Sequence, residues 1–179
     1  MIWGSGILEG ENSLALIDGM LQELEQEAQT TRRVLERVPD DRLSWRPHEK
    51  ARTLGELALH VATVPGNVAE FVAAESPVQA PQFTDPSPQK AAELVPALEE
   101  SIAKAKKLLG GMDDAALQAT WRVMQGEREL LAIPRVAGLR SIMLNHWYHH
   151  RGQLSVYLRE LDVPIPSIYG PSADENPFT

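Results

Sequence analysis

Four stretches of this chain carry apolar residues that return at alternating intervals of three and four, the period of one face of an α-helix. The first runs from about Ser13 to Val38, with Leu14, Ile17, Leu21, Leu24, Ala28, Thr31, Leu35 and Val38 in one line. Ser13 is its expected N-cap and Pro39 its stop. The second opens on Thr53-Leu54-Gly55-Glu56, which fits a capping box with threonine at N-cap and glutamate at N3, and it runs to about Ala74. Pro65 lies inside it and has no N–H for the Val61 carbonyl, so a kink is expected just after His60. The proline-rich loop Ser76 to Pro88 follows. Ser87 then reads as an N-cap and Pro88 as the first residue of a third helix, which presents Leu94, Leu98, Ile102, Ala105 and Leu109 and ends at Gly110-Gly111. The fourth helix extends from near Pro134 to near Leu161. Its stripe is Val136, Leu139, Met143, His146, His150, Leu154, Tyr157 and Leu161.

Helices with one apolar face must bury those faces against each other. Four such segments joined by long crossovers predict an all-α, four-helix-bundle fold. The remaining elements are small. Trp45, in the polar connection Pro39 to Arg52, is expected to pack on the bundle. Asp113-Asp114 can open a short helical turn, and Thr120 to Met124 and Arg128 to Ile133 flank Gln125-Gly126 as a small hairpin before the last helix. The Pro- and Gly-rich tail, 162–179, is expected to be irregular. A length of 179 residues suits a single domain, 1–179, with a real core.

Composition removes several function classes. The formal charge is −8, and no dense Lys/Arg cluster interrupts the acidic background, so a nucleic-acid partner is not expected. With no cysteine there is no disulfide framework, thiolate metal site or cysteine nucleophile. The N-terminus does not read as a signal peptide, and no stretch reaches the roughly 18 apolar residues of a membrane helix. The expected location is the cytoplasm, with no membrane contact.

The chemistry concentrates in the fourth helix. His146 and His150 are four apart in its core stripe, so both imidazoles project from one face and can reach one metal ion. The glutamate of the zinc-protease pattern is missing, because Trp147, Tyr148 and His149 intervene; a metalloprotease is disfavoured. His60, beside the second helix's stripe of Leu57, Val61, Val64 and Val68, is the natural third ligand. Three neutral nitrogens with one open position suit a divalent metal ion such as zinc or nickel. A lone histidine on an apolar face is ordinarily a hydrogen-bonded core residue, but two inward histidines in one stripe carry a large desolvation cost without a strong partner. His149 falls off the 146/150 line, where a surface, interface or supporting role is expected, and His48 belongs to a solvated loop. Glu56 serves the capping box and is also the candidate general base; Gln153 is placed to orient a ligand, and Arg151 to form a salt bridge or contact an anion.

The residues Asn145-His146-Trp147-Tyr148-His149-His150-Arg151-Gly152-Gln153-Leu154 resemble the last-helix signature of the DinB-like (DinB/YfiT) superfamily. Thr53-Leu54-Gly55-Glu56-Leu57-Ala58-Leu59-His60-Val61 resembles its second-helix signature, and Pro166 to Glu175 is similar to the tail of one of its subgroups. The resemblance implies an up-down-down-up bundle, a metal site on His60, His146 and His150, and a homodimer. The family's name comes from damage-inducible expression. Its characterised members include thiol-dependent S-transferases, a mycothiol-dependent isomerase and a metal-dependent hydrolase. The expected function is therefore a metal-dependent enzyme joining a low-molecular-weight thiol, as small-molecule substrate, to an electrophile. A hydrolase using metal-bound hydroxide is the alternative enzyme, and a stress-associated metal-binding protein without catalysis the alternative of another class.

Overall fold

The computed structural model describes residues 15–82 and 84–178. The four long helices are present: α1 (Leu16–Leu35), α2 (Leu54–Ala73), α3 (Leu94–Leu109) and, after the short α4 (Asp114–Gln118) and α5 (Arg135–Gly138), α6 (His146–Glu160). The expected Ser13 cap and Leu14 lie outside the described residues.

Polar contacts between the helices fix their directions. Arg32 pairs with Glu99 and Glu25 with Lys106, so α1 and α3 run antiparallel. Gly66 meets Ser101 and Glu70 meets Lys104, so α2 and α3 run parallel. Val61 contacts Trp147 while Arg52 contacts Tyr157, so α2 and α6 run antiparallel. The order is up-down-down-up around a core in which Leu24, Leu57, Val61, Leu98, Met143 and Leu154 are buried.

The capping box of α2 forms in both halves: Thr53 N–H donates to Glu56 Oε2 (2.6 Å) and Glu56 N–H to Thr53 Oγ1 (3.2 Å). The chain stays helical through Pro65, and two neighbours take over the disturbed polar groups. The Val61 carbonyl accepts the indole N–H of fully buried Trp147 (2.8 Å). On the other side Gly66 N–H donates to Ser101 Oγ (2.7 Å), and that hydroxyl donates to the Thr63 carbonyl (3.1 Å). A Cβ at position 66 would lie 2.8 Å from the Ser101 carbonyl oxygen, so glycine permits this close approach of α3. Pro65-Gly66 thus joins α2 to α3 and α6.

The structure corrects two helix boundaries, adds a strand and changes the type of one helical segment. α1 stops at Leu35 rather than Val38, because Arg37 and Val38 donate to Val34 and Leu35, bonds that tighten the chain to 3₁₀ geometry before Pro39. Ser87 and Pro88 do not start α3. Pro88 is buried against Gly55, and a 3₁₀ turn at Ala91–Glu93, held by Ala91 N–H to Asp40 Oδ1 (2.7 Å), leads into Leu94. The hairpin forms as β2 (Thr120–Gln125) and β3 (Arg128–Pro134), with Gly126 at φ +61°, but β1 (Val78–Gln79) adds a parallel third strand from within the expected loop. Finally, the last helix is not uniformly α: residues Leu139–Asn145 form a π-helical segment that delivers the chain to His146. A stripe of apolar residues reports which face is inward, and does not distinguish the slightly wider π turn from an α turn. Trp45 packs as expected, half-buried with its ring edge-on to Tyr157 at 5.6 Å. Among the described residues, no helix is long and apolar enough to cross a membrane.

Candidate metal centre

α2 contributes His60 and α6 contributes His146 and His150. The antiparallel packing that brings Val61 onto Trp147 carries the preceding His60 to the face where the two α6 histidines lie a turn apart. The three rings meet edge to face, with centroids 5.2 Å (His60–His146), 4.5 Å (His60–His150) and 4.5 Å (His146–His150) apart. Each offers a ring nitrogen within 4.8 Å of the other two, a group that could hold a metal ion.

The hydrogen bonds around the rings determine which nitrogens are free. His146 Nδ1 lies 3.2 Å from the Ile142 carbonyl, which can only accept, so Nδ1 carries the proton and Nε2 a lone pair. His150 Nδ1 lies 2.7 Å from Gln153 Oε1 with the same result. The two Nε2 atoms then face one another at 2.7 Å. His60 Nε2 is buried without a hydrogen-bond partner; among the described residues the only other such side-chain atom is Trp121 Nε1. Converging lone pairs and an unpartnered buried nitrogen are an unfavourable arrangement by themselves. A cation at their meeting point satisfies all three.

Electrostatics point the same way. Burial holds all three histidines below the ordinary value: His60 falls to about 3, with Arg52 and the other two rings adding to the effect, and His150 to about 4, the Gln153 bond opposing burial and His146 then adding to it. His146 is lowered chiefly by burial. The rings are therefore neutral at pH 7, the state in which imidazole binds metal without first losing a proton.

The other expected residues separate clearly. Gln153, three residues after His150, meets its Nδ1 through Oε1 at 2.7 Å. Arg151 forms the expected salt bridge, with Glu27 (2.6 Å), and is fully buried on the other side of α6. His149 is exposed, its ring 5.0 Å from that of His150. His48 is exposed and accepts the Lys50 N–H (3.1 Å). Glu56 is not one of the clustered residues; one of its oxygens is held by the Thr53 N–H, and it lines a surface hollow of about 380 Å³ with Asp40, Asp41 and Ser87, to which none of the three histidines contributes.

Sequence reasoning missed Trp147 and Arg52. The carbonyl orphaned by Pro65 was a signal that some donor had to come, although not which one. Arg52 carried no signal: its charge acts on all three imidazoles, and it is paired with Asp85 at 2.6 Å.

The fold and the site together define an up-down-down-up helical bundle with a three-histidine group suited to a divalent cation. Residues 12–177 match the DinB family, and the chain belongs to it. It is 28% identical over 162 residues to an uncharacterized protein, YrdA, of Bacillus subtilis (strain 168), spanning 89% of this chain and 91% of that one. Its fold is similar to that of a DinB-like protein from Bacillus cereus ATCC 10987, with a TM-score of 0.68 and 24% identity over 86% of this chain and 97% of that one. A DinB-like protein from Bacillus subtilis, YjoA, is similar with a TM-score of 0.59 and 20% identity over 80% of this chain and 92% of that one.

Proposed function

We propose that this chain is a metal-dependent transferase that joins a low-molecular-weight thiol to an electrophilic small molecule, acting as a cytoplasmic homodimer. The observation that carries the reading is the histidine group, with two Nδ1–H groups held by acceptors and unprotonated Nε2 atoms converging from α6 beside His60. Neutral nitrogen ligands suit zinc or nickel. Bound there, the metal would lower the pKa of a coordinating thiol so that it is a thiolate at neutral pH. The remaining work falls to the chain. His60, His146 and His150 hold the cation, and Gln153 and the Ile142 carbonyl fix two of the rings. In the transfer the sulfur loses its proton to water and forms a bond to the electrophilic carbon, whose leaving group departs with the bonding pair.

The thiol reading is preferred to the hydrolytic one because hydrolysis wants a base beside the metal, and Glu56, its one candidate, has an oxygen engaged at the α2 cap. The acidic charge favours small-molecule partners over nucleic acid. The test is metal analysis of protein prepared without a histidine tag, followed by a screen of bacterial thiols against epoxides and chloro-nitroaromatics. One metal ion per chain and metal-dependent loss of thiol are expected. A loaded protein that turns over no pair would defeat the transferase reading and leave metal binding without it.

A further inference from the structure

Arg52 directly precedes the N-cap of α2, and Tyr157 lies two turns beyond His150 on α6. Because the helices are antiparallel, the two residues meet at one end of the bundle, where Tyr157 Oη donates to the Arg52 carbonyl (3.4 Å) and Trp45 packs edge-on to Tyr157. His60 lies eight positions after Arg52 and His150 seven before Tyr157, roughly 10–12 Å of helical rise, with His146 one turn beyond His150. The Arg52 side chain retains 29% of its exposure and the Asp85 side chain 42%, so the pair is open to solvent. Only one guanidinium nitrogen is engaged: Nε donates to Asp85 Oδ1 at 2.6 Å, and among the described residues neither terminal nitrogen has a hydrogen-bond partner. Arg32, Arg122 and Arg159 also meet one carboxylate through one nitrogen, but away from the histidines; two further arginines differ. Arg135 spends its guanidinium on the Val72 and Ala74 carbonyls at the end of α2, and Arg151 is buried among acceptors. Asp85 belongs to the irregular segment between β1 and α3 and is held by no other hydrogen bond among the described residues. Arg52 is also the cation whose field reaches all three imidazoles, while Asp85 acts on His60 in the opposite sense.

A half-used guanidinium at the bundle end two turns from the histidines, its one partner a loop carboxylate, has donors left for another carboxylate. We propose that Arg52 anchors a carboxylate of the small molecule bound at the histidine centre, and that Asp85 holds its place when that molecule is absent; this rests on the reading of the histidines as a metal site open to a small thiol. The substrate class is thereby narrowed to thiols that carry a carboxylate within reach of the sulfur. Asp85 competes with that group, which makes it a determinant of affinity.

The test uses cobalt-loaded full-length protein titrated with mercaptoacetate and with 2-mercaptoethanol, following the absorbance of the cobalt–thiolate pair. Part of any preference for mercaptoacetate arises from chelation of the metal, so the decisive quantity is the change in preference between variants. Arg52→Gln should reduce it about 10-fold, the loss of one charge-assisted contact, with cobalt stoichiometry unchanged. Arg52→Lys should keep part of it, and Asp85→Asn should tighten mercaptoacetate binding without affecting 2-mercaptoethanol. The same preference in wild type and Arg52→Gln overturns the assignment. If neither thiol alters the cobalt spectrum, the thiol reading of the site fails, and the arginine is then judged separately with malonate, a carboxylate probe without sulfur. In zinc-loaded protein, malonate binding that shifts the Arg52 Nε–H resonance and disappears in Arg52→Gln supports the assignment; no shift in the wild type overturns it.

Discussion

Two polar clusters lie against α6, reached from consecutive residues. His150 turns to one side and meets His60 and His146. Arg151 turns to the other, where its side chain is 1% exposed. Around Arg151 the donors and acceptors match. It donates to the Glu27 carbonyl (3.2 Å) and Thr31 Oγ1 (3.0 Å) and bonds to Tyr169, it pairs with the Glu27 carboxylate, and Tyr169 Oη in turn donates to Glu27 Oε2 (2.9 Å). The rings of Tyr148 and Tyr169 lie 5.3 Å and 5.0 Å from the guanidinium carbon. Around the histidines the count falls short: the two Nε2 atoms of α6 face each other at 2.7 Å, and His60 Nε2 has no hydrogen-bond partner among the described residues. A buried polar cluster that is satisfied internally fastens parts of the chain together, here α1, α6 and the tail. One left with an unpartnered nitrogen could hold a cation.

The largest expected effect tests the histidine side of that contrast. Replacing His60, His146 or His150 with alanine should weaken metal binding by well over about 100-fold, beyond what loss of a supporting residue produces. His149→Ala and His48→Ala should retain stoichiometry. Elemental analysis of the five variants reads this directly, and full metal retention in His146→Ala and His150→Ala would sink the site.

Arg151→Met should do the reverse. It leaves the Glu27 carboxylate, 13% exposed and still bonded to Tyr169, without its cation, and stability should fall by about 3 kcal/mol, the lower end for broken buried pairs, while metal stoichiometry stays unchanged. Urea unfolding alongside metal analysis separates the two properties; a variant that lost metal but kept its stability would reverse the roles of the two clusters.

Gln153 stands between these cases, since it contacts the His150 ring and would not touch a metal held there. Gln153→Leu removes the acceptor that keeps the proton on His150 Nδ1. Metal affinity should fall by about 10–100-fold with stoichiometry kept at saturating metal. Competition with a chromophoric chelator measures it, and an unchanged affinity would mean that the 2.7 Å contact does not orient the ring.

The smallest effect belongs to the tail. Its hydrogen bond with Arg159 holds the Asp174 carboxyl below the ordinary carboxylate value. The unfolded chain therefore takes up this proton first as pH falls. The stabilisation is fully present above the unfolded value near 3.8 and is lost as pH drops through the lower folded value. Amide exchange around Ile165, whose N–H donates to Asp174 (2.9 Å), should accelerate across that acid window in wild type. In Asp174→Asn it should already be faster at neutral pH.

The spacing of apolar residues determined the helices of this protein, because a period of 3.6 admits only one way to hide a stripe. It also placed His146 and His150 on one face, a consequence of covalent helical geometry alone, and the Thr53/Glu56 capping box is local enough to be read without a fold. What lay further apart was decided by the tertiary structure. The Trp147 indole on the Val61 carbonyl spans 86 positions, and the pairing of β1 with β2 spans 45 from Val78 to Val123. Thr31 stood in the inward line of α1, but Glu27 and Tyr169, which join it around Arg151 from α1 and the tail, have nothing in their own neighbourhoods that distinguishes them from surface residues. The same holds for Arg52 above the histidines. Local sequence fixes which way a side chain leaves its helix; whether it finds a partner there depends on what a distant part of the chain brings to the same place.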